Sequence, residues 1–354
     1  MTRGAAVLAG ELTRGRRVMQ DGITIYPVER LGNQLFQYAT GLEQARRLQV
    51  PLYVNRAFYL EEAAAKRRVY SLDYQLDAFD SGIVDPIGEE YHRPIFYGLP
   101  PIRTVESFHR RIGSRLPGPG SRIFGERSFG YDPRIHDVVP GTTLLGFFQS
   151  WRYCTTVVEE VRRRMTALTA PSAWYAAMCE QLRPGDGSVV LNVRRSDYLL
   201  PRQRAVHGVA TRSYYERSLR LVRGLGVTGP VYVMSEALDD VMREFEGIPD
   251  LVPIQPPPGT DPMELILLLA RADALVAANS SFSWWGGFLG ERPGRPVVAP
   301  RPWFTLKRID SDDLLMPDWI TLDREDHPDP AGAVSVPAQA RSSRPLDSEE
   351  HIRV

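Results

Sequence analysis

Apolar and polar residues alternate along this chain in a pattern that predicts parallel α/β structure. Near the start, the apolar run Ile23–Val28 indicates a strand. A helix is predicted over Gln34–Leu48, because its apolar residues recur at three- and four-residue steps. Pro51–Val54 indicates the next strand. This succession is a βαβ unit, which places its two strands parallel in one sheet.

The second half of the chain shows the same alternation more clearly. Strands are predicted at Ser188–Val193, Pro230–Met234, Ala274–Ala278 and Pro296–Ala299. Helices are predicted at Trp151–Leu168, Ser172–Leu182, Ser213–Arg223, Leu238–Phe245, Pro262–Ala272 and Phe282–Leu289. This pattern predicts an α/β fold with open parallel sheets that helices cover on both faces.

The chain length predicts two domains, because 354 residues exceed what one hydrophobic core usually serves. The turn Pro184–Gly187 marks the boundary, with an N-terminal domain over 22–183 and a C-terminal domain over 184–322. Residues 1–21 are polar and without periodicity, so they are predicted to form a flexible leader. After Asp323 the composition turns to Pro, Ala, Ser and charge, which predicts a disordered tail over 323–354.

Composition narrows the class of protein. Lys+Arg and Asp+Glu both total 43, so the broad basic surplus of a nucleic-acid binder is missing and any anion site is local. The two cysteines, Cys154 and Cys179, show neither metal-ligand spacing nor a disulfide framework. No stretch approaches the roughly 20 apolar residues of a membrane span. The sequence predicts a cytoplasmic protein and leaves peripheral membrane association open.

Three polar clusters follow predicted strands, where open α/β sheets bind their ligands. The first is Arg30–Gln34, in which Gly32 allows close backbone approach and the following helix offers free N–H groups to an anion. The alternative is an ordinary βα turn with Asn33 as the N-cap and Gln34 exposed.

The second cluster is Asn192–Tyr198, at the end of an apolar strand. Arg194 and Arg195 are adjacent guanidinium groups, which suit a diphosphate through bidentate charge-assisted bonds. Asp197 has three candidate roles: to orient an arginine, to contact a sugar hydroxyl or to accept a proton. In the alternative interpretation, Arg195 pairs with Asp197 structurally and Arg194 is solvated.

The third cluster is Asn279–Gly287, again at a strand end that leads into a helix. Its serine hydroxyls lie where a helix N-terminus begins, which is a phosphate-binding arrangement. The alternative, compatible with the first, is that a serine caps the helix while Trp284 and Trp285 pack in the core.

Taken in order, these clusters resemble the signature blocks of the α-1,2-fucosyltransferase family. The matching blocks are Arg30–Tyr38 (RLGNQLFQY), Asn192–Tyr198 (NVRRSDY) and Asn279–Gly287 (NSSFSWWGG). Further similarity lies at Gly146–Tyr153, at Tyr214–Tyr215 after His207–Gly208, and at Val298–Phe304. The resemblance covers residues 22–320, which is most of the chain.

The resemblance implies a GT-B-like fold, with two Rossmann-like domains facing a cleft, and GDP-L-fucose held by the C-terminal domain. It implies an inverting transfer of L-fucose to a hydroxyl of a galactoside-type acceptor glycan, bound on the N-terminal side. The implied donor-binding residues are Gly32, Asn33, Asn192, Arg194, Arg195, Ser281, Phe282 and Ser283. Arg194, Arg195 and Asp197 are the expected catalytic residues, and Asp197 or His207 is the expected general base.

Three departures from the family pattern surround the implied donor site. Asn192 stands where the family's arginine block usually opens with His, and Ser196 stands where Gly is usual. Ser235–Ala237 reads Ser-Glu-Ala where the family often has Ser-Asp-Asp. Two alternatives therefore stay open: a transferase for another GDP-linked sugar, and a non-catalytic nucleotide- or glycan-binding relative.

A metal-dependent route has one sequence candidate, Asp310–Asp313 (DSDD). Metal-dependent transferases hold a divalent ion against the diphosphate with the hard oxygens of an Asp-x-Asp at a strand end. No strand is predicted before this segment. We expect no metal and no other cofactor, since arginines and helix N-termini stabilise a departing diphosphate.

Overall fold

Two parallel sheets organise the computed structural model, which describes residues 21–56, 58–59, 72–84, 123–307, 309, 311–325 and 334–335. The first sheet has four strands in the order β2-β1-β4-β3, all parallel. Its strands are β1 (Ile23–Ile25), β2 (Leu52–Val54), β3 (Ile123–Gly125) and β4 (Thr143–Leu145).

The second sheet has seven strands in the order β11-β10-β9-β8-β5-β6-β7. They are β5 (Val189–Val193), β6 (Val231–Ser235), β7 (Leu251–Pro253), β8 (Ala274–Val276), β9 (Val297–Arg301), β10 (Ile320–Asp323) and β11 (Val334–Ser335). All are parallel except β11, which pairs antiparallel with β10. The strand order reverses between β5 and β8, which makes their carboxyl ends the topological switch point.

Eight α-helices connect these strands in the described residues. They are α1 (Leu31–Leu48), α2 (Val158–Thr166), α3 (Ala173–Gln181), α4 (Pro201–His207), α5 (Arg212–Gly224), α6 (Leu238–Glu244), α7 (Pro262–Arg271) and α8 (Ser281–Leu289). None of them is long and apolar enough to cross a membrane. The predicted α/β class with open, mainly parallel sheets is confirmed.

The start of α1 differs from the sequence prediction. The helix begins at Leu31 rather than at Gln34, so Gly32 and Asn33 lie in its first turn. Arg30 is the N-cap, and its side chain makes no capping bond. The N–H of Leu31 instead donates to Gln75 Oε1 at 3.0 Å. Because that partner lies 44 residues away in sequence, the local pattern contains no signal for it.

The apolar core runs without interruption from the first sheet into the second. One buried cluster includes Ile23 and Leu35 as well as Val190 and Trp284. Phe36 on α1 lies 4.4 Å, centroid to centroid, from the Trp284 ring on α8. A second cluster fills the opposite face of the larger sheet. The helix pair α1 and α8 therefore joins the two domains through buried aromatic side chains.

The predicted domain boundary at 183/184 lies in the turn between α3 and β5. Asp273 holds this turn by accepting N–H bonds from Gly185 at 2.9 Å and from Gly187 at 2.7 Å. Of the predicted leader, residues 1–20 lie outside the described residues. Of the predicted disordered tail, Arg324 is buried, and the 334–335 strand pairs with β10, so these parts are ordered. Most of the remaining tail lies outside the described residues.

Candidate functional site

The helix N-termini of the two domains meet at the carboxyl ends of β1 and β8. A methyl group on Gly32 would lie 2.6 Å from Ser281 Oγ and 2.8 Å from Phe282 N. Only glycine fits at such a distance. Trp285 Nε1 donates to the carbonyl of Gly32 at 2.9 Å, which fixes the contact. We call the space beside this contact, between the strand ends of the two domains, the cleft.

Ser283 and Asn192 lie behind the wall of the cleft, where they bond to each other. Ser283 is fully buried, and its hydroxyl donates to Asn192 Oδ1 at 2.5 Å. Asn192 in turn donates to the carbonyl of Met234 at 3.3 Å. Ser280 caps α8 by accepting the N–H of Ser283 at 3.2 Å, as the sequence allowed for a serine in this block. These bonds link β5, β6 and α8.

The guanidinium of Arg195 points away from the cleft, toward α6. It makes a bidentate pair with Glu244, at 3.0 Å from Nε and 2.7 Å from Nη2. Its Nη1 donates to the carbonyls of Arg194 and Ala210. All three nitrogens of this buried side chain are thus bonded within the protein. The structure does not bring Arg195 together with Arg194 as the sequence interpretation expected.

Arg194 lies beside the cleft with its side chain 20% exposed. Its Nη2 donates to Asp197 Oδ1 at 2.5 Å, and its guanidinium lies 5.2 Å from the centre of the Tyr198 ring. Its Nε is buried and has no hydrogen-bond partner. Burial disfavours the Arg194 charge, but Glu236 and Asp197 outweigh burial and raise the pKa of the guanidinium. This Nε lies 3.7 Å from Glu236 Oε1, so Arg194 is a fixed positive charge between two carboxylates at the edge of the cleft.

Asp197 connects the two domains. Besides Arg194 on its Oδ1, it holds Arg30 of the first domain on its Oδ2 at 3.6 Å. The side chain of Arg30 is 43% exposed. Both carboxylate oxygens of Asp197 thus face guanidinium groups, so in this arrangement Asp197 orients arginines.

His207 ends α4 and stacks on the Tyr198 ring, with the ring centroids 4.6 Å apart. Its Nδ1 is buried without a hydrogen-bond partner. Burial lowers the pKa of His207 to about 4, although Asp197 opposes that shift. The imidazole is therefore neutral at pH 7.

Two polar residues without an assigned role in the sequence hold the segment after His207. Asn279 Nδ2 donates to the carbonyls of His207 and Trp303 at 2.8 and 3.1 Å. Arg324 Nη1 donates to the same His207 carbonyl at 2.5 Å. Asn279 belongs to a block that the sequence singled out, whereas Arg324 lies in the predicted tail and gave no signal.

The first domain contributes an amide and aromatic rings to the cleft. Asn33 Oδ1 accepts a hydrogen bond from Gln149 Nε2 at 2.7 Å. This bond fixes the Asn33 side chain, which the sequence predicted to contact the donor. The Phe129 ring stacks on Phe147 at 6.1 Å and meets Phe304 of the second domain edge-on at 5.2 Å. Aromatic side chains thus continue from one domain to the other.

The candidate metal motif is engaged in ion pairs where the structure describes it. Asp313 pairs with Arg152 at 3.3 Å and accepts the N–H of Tyr131. Asp312 pairs with Arg301 at 3.3 Å. Asp310 lies outside the described residues. Among the described residues, no three or more His, Cys, Asp and Glu side chains are grouped to hold a metal ion.

Comparison with known proteins gives a consistent family match. The model of glycosyl transferase family 11 matches residues 142–323, slightly more than half of the chain. The Escherichia coli α-1,2-colitosyltransferase is 25% identical over 302 residues, 83% of this chain and 96% of that protein. The E. coli O-antigen biosynthesis glycosyltransferase WbnK is 24% identical over 314 residues, 82% and 97% of the two chains. Among solved structures, the Bradyrhizobium α-1,6-fucosyltransferase NodZ, soaked with GDP-fucose, matches with a TM-score of 0.43 and 14% identity, over 76% and 92% of the chains.

Proposed function

The chain belongs to glycosyl transferase family 11, and from that premise we propose that it transfers L-fucose from GDP-L-fucose to a galactoside-type acceptor glycan. The proposed product linkage is α-1,2, formed with inversion and without a metal ion. The observation that carries the proposal is the placement of Arg194. Its guanidinium lies at the end of β5, over Tyr198, whose hydroxyl donates to the carbonyl of Asn279 just before α8.

Charge on the departing GDP is met by Arg194 and the first turn of α8. Nothing in the described structure hydrogen-bonds to the N–H groups of Ser281 and Phe282, and helix N-termini attract anions. Gly32 approaches them so closely that a methyl group at this position would clash. Charge-assisted bonds to a phosphate oxygen strengthen as the glycosidic bond breaks, because the leaving group gains negative charge. Arg195 supports this site from behind, through its bonds to the Arg194 carbonyl and to Glu244.

The acceptor hydroxyl attacks the anomeric carbon from the side opposite GDP and loses its proton to a general base. Of the two candidate bases, His207 suits this role better than Asp197. Its imidazole is neutral at pH 7, because its pKa is about 4, whereas both oxygens of Asp197 face arginines. A base with so low a pKa is weak, so leaving-group stabilisation carries most of the catalysis.

A second candidate function is the transfer of another GDP-linked deoxyhexose. The similarity to a protein named for colitosyl transfer supports it. The presence of Asn192 in place of the family's usual His does not by itself support this second function. Its side chain bonds to Ser283 and Met234 behind the cleft wall.

Thermal unfolding with a nucleotide panel tests the donor class. GDP, GDP-fucose, GDP-mannose, UDP and UDP-galactose are compared, each with and without EDTA. A ligand at 100 times its Kd adds about 2.7 kcal/mol to the unfolding free energy, which raises Tm by several degrees. A shift specific to guanosine nucleotides and insensitive to EDTA is expected. A shift with uridine nucleotides alone, or one that EDTA abolishes, contradicts the proposed donor site.

Product analysis then separates the remaining alternatives. Incubation with GDP-fucose and a β-galactoside, followed by NMR of the product, identifies the sugar transferred and its linkage. Binding of GDP without either transfer or slow donor hydrolysis would identify the chain as a non-catalytic nucleotide-binding relative instead.

A further inference from the structure

An open cavity of about 450 Å³ lies between the two domains. Its walls are residues 74–78 and 168–170 from the first domain and the segment 259–264, which leads into α7, from the second. We call it the interdomain cavity. Its volume is within the range of small-molecule sites.

The interdomain cavity adjoins the contact between α1 and α8. Gln75, in its wall, accepts the N–H of Leu31 at 3.0 Å, and Leu31 precedes the Gly32 that touches α8. Gln34 fixes the same segment, because it accepts the N–H of Gln75 at 2.9 Å and donates to the carbonyl of Asp73 at 2.8 Å. This wall is therefore anchored to the helix end that borders the cleft.

The lining of the cavity is acidic and rich in hydrogen-bond acceptors. Asp261 accepts the N–H of Met263 on one carboxylate oxygen at 2.8 Å, and no described residue bonds to the other. Asp77 is 69% exposed and pairs with Arg56 only at 3.8 Å. Among the described residues, the lining itself contains no arginine, lysine or histidine, although Arg56 contacts two of its members, Tyr74 and Asp77. Its acidic groups also do not form a metal-binding cluster among the described residues.

This chemistry fits a neutral sugar and repels an anion. Carboxylates accept bonds from sugar hydroxyls, and such charge-assisted bonds are stronger than neutral ones. The Tyr74 ring in the wall is held by the Arg56 guanidinium, 4.4 Å from its centre, and offers a sugar an apolar surface. A phosphate or a uronic acid would meet the carboxylates of Asp77, Asp261 and Glu264, and Arg56 beside the wall already pairs with Asp77.

We propose that the interdomain cavity binds the neutral glycan part of the acceptor through Asp77 and Asp261, and that these carboxylates select against acidic sugars. This inference rests on the proposed glycosyl transfer, and it adds where the acceptor lies and which acceptors are refused. The GDP moiety, with its negative diphosphate, lies instead at Arg194 and α8.

The test compares Asp77→Asn and Asp261→Asn with the parent enzyme. Asparagine keeps the size of both side chains and, at position 261, also caps a helix well. Asp240→Asn is the matched control, because Asp240 is an exposed carboxylate that pairs with an arginine outside the cavity. KM and kcat are measured for donor and acceptor separately, with a β-galactoside and the corresponding β-galacturonoside as acceptors.

Each cavity variant is expected to raise the KM for the galactoside about tenfold, the effect of losing one charge-assisted bond. The KM for the donor stays the same, and the preference for galactoside over galacturonoside falls. Asp240→Asn changes none of these values. The inference is overturned if the KM for the galactoside and the preference for galactoside over galacturonoside both stay unchanged. It is also overturned if the KM for the donor rises, because the cavity would then bind the nucleoside.

A binding measurement without turnover separates this inference from the proposed function. Saturation-transfer NMR of the parent protein with GDP and each acceptor is expected to show contact with the galactoside only, and to lose it in Asp77→Asn. If the parent binds the galactoside through the cavity but transfers no sugar from any GDP donor, the proposed function fails while the cavity assignment stands. If transfer occurs and Asp77→Asn binds the galactoside like the parent, the cavity assignment fails alone.

Discussion

The neighbouring arginines at the end of β5 have different surroundings and, we infer, different roles. Arg194 lies beside the cleft, with its Nη2 bonded to Asp197 and its Nε 3.7 Å from Glu236, while Arg195 is buried and bonds to Glu244 and two carbonyls. The sequence predicts a pair of guanidinium groups at a strand end, but not which of them lies beside the cleft. That choice depends on Glu244, which lies 49 residues away on α6.

Substitution of each arginine by alanine distinguishes these roles. Arg194→Ala is expected to lower kcat about 10²–10³-fold, as does the loss of one donor that stabilises transition-state charge. Arg195→Ala removes a buried side chain and leaves the Ala210 carbonyl without its donor, while Glu244 is 35% exposed and stays solvated, so the variant is expected to destabilise the fold by about 1–3 kcal/mol. Steady-state kinetics and urea unfolding on both variants check this. Equal losses of kcat at equal stability would place both guanidinium groups on the donor.

Ser196 has a backbone conformation that favours glycine. Its φ is +27°, in the left-handed region, at the position where Gly is usual in the family that the sequence resembles. Ser196→Gly is expected to leave the unfolding free energy unchanged or to raise it by up to about 1 kcal/mol. Ser213→Gly, in the first turn of α5, is the control and is expected to lose about 0.5 kcal/mol. Equal losses in chemical denaturation would show that position 196 carries no strain.

The lowered pKa of His207 predicts a pH dependence of stability. Between the folded pKa of about 4 and the ordinary value of about 6.5, the unfolded chain binds a proton that the native protein does not. Stability from this group is therefore complete above pH 6.5 and is lost as the pH falls toward 4, by up to about 3 kcal/mol. Asp197, Arg194 and Arg324 are the charged groups that act on the ring.

Urea unfolding of the parent and of His207→Gln at pH 7 and pH 4.5 checks this expectation. The parent should lose more stability than the variant over this interval, since glutamine does not titrate. Parallel losses in the two proteins would contradict a buried neutral imidazole. The same variant should also lower the transfer rate if His207 is the base.

At the scale of elements, local signals located most of the second sheet. Apolar runs predicted β5, β6, β8 and β9, and Ser280 caps α8 as a serine in that block was expected to do. Strands β3, β4, β7, β10 and β11 were not predicted. Short length alone does not explain this, because β1, β2 and β8 also have three residues each and were predicted. The residues of β7 are only partly buried or exposed, so that strand lacks a clear apolar signal. The start of α1 was misplaced because its first N–H bonds to a distant glutamine. Local pattern therefore finds elements, while long-range bonds set their ends.

The contact between α1 and α8 depends on the absence of a side chain at position 32. In Gly32→Ala, the new methyl group would lie within 3 Å of Ser281 Oγ and of the backbone at Phe282 N. Backbone cannot give way cheaply, so the helices must separate. We expect a loss of about 1–3 kcal/mol in stability and weaker binding of GDP. Gly224→Ala, at the end of α5 with no neighbour near its added methyl group, is the control. GDP affinity is measured by isothermal titration calorimetry. If Gly32→Ala binds GDP as tightly as the parent does, this contact is not part of the donor site.

At the scale of the whole molecule, the two domains share one apolar core rather than meeting across a polar interface. Aromatic side chains of α1 and α8 lie at its centre, and the Arg30–Asp197 pair and the Asp313–Arg152 pair lie nearer solvent. Exposed ion pairs contribute little to stability, so the buried aromatic contacts dominate the coupling. A rigid junction of this kind fixes Gly32 and Arg30 relative to Ser281 and Asp197. The proposed donor site is therefore assembled by the packing of the domains and not by either one alone.

This continuity predicts that the chain unfolds in one calorimetric transition, with equal calorimetric and van't Hoff enthalpies. Phe36→Ala removes a ring that contacts both Trp284 and Trp285, which is expected to cost about 3–5 kcal/mol and to split the transition in two. Phe245→Ala, equally buried but in the second cluster, should lower Tm and keep one transition. Two transitions in the parent would mean that the domains are energetically independent. One transition in all three proteins would mean that coupling does not depend on this aromatic contact, and that polar contacts across the cleft sustain it.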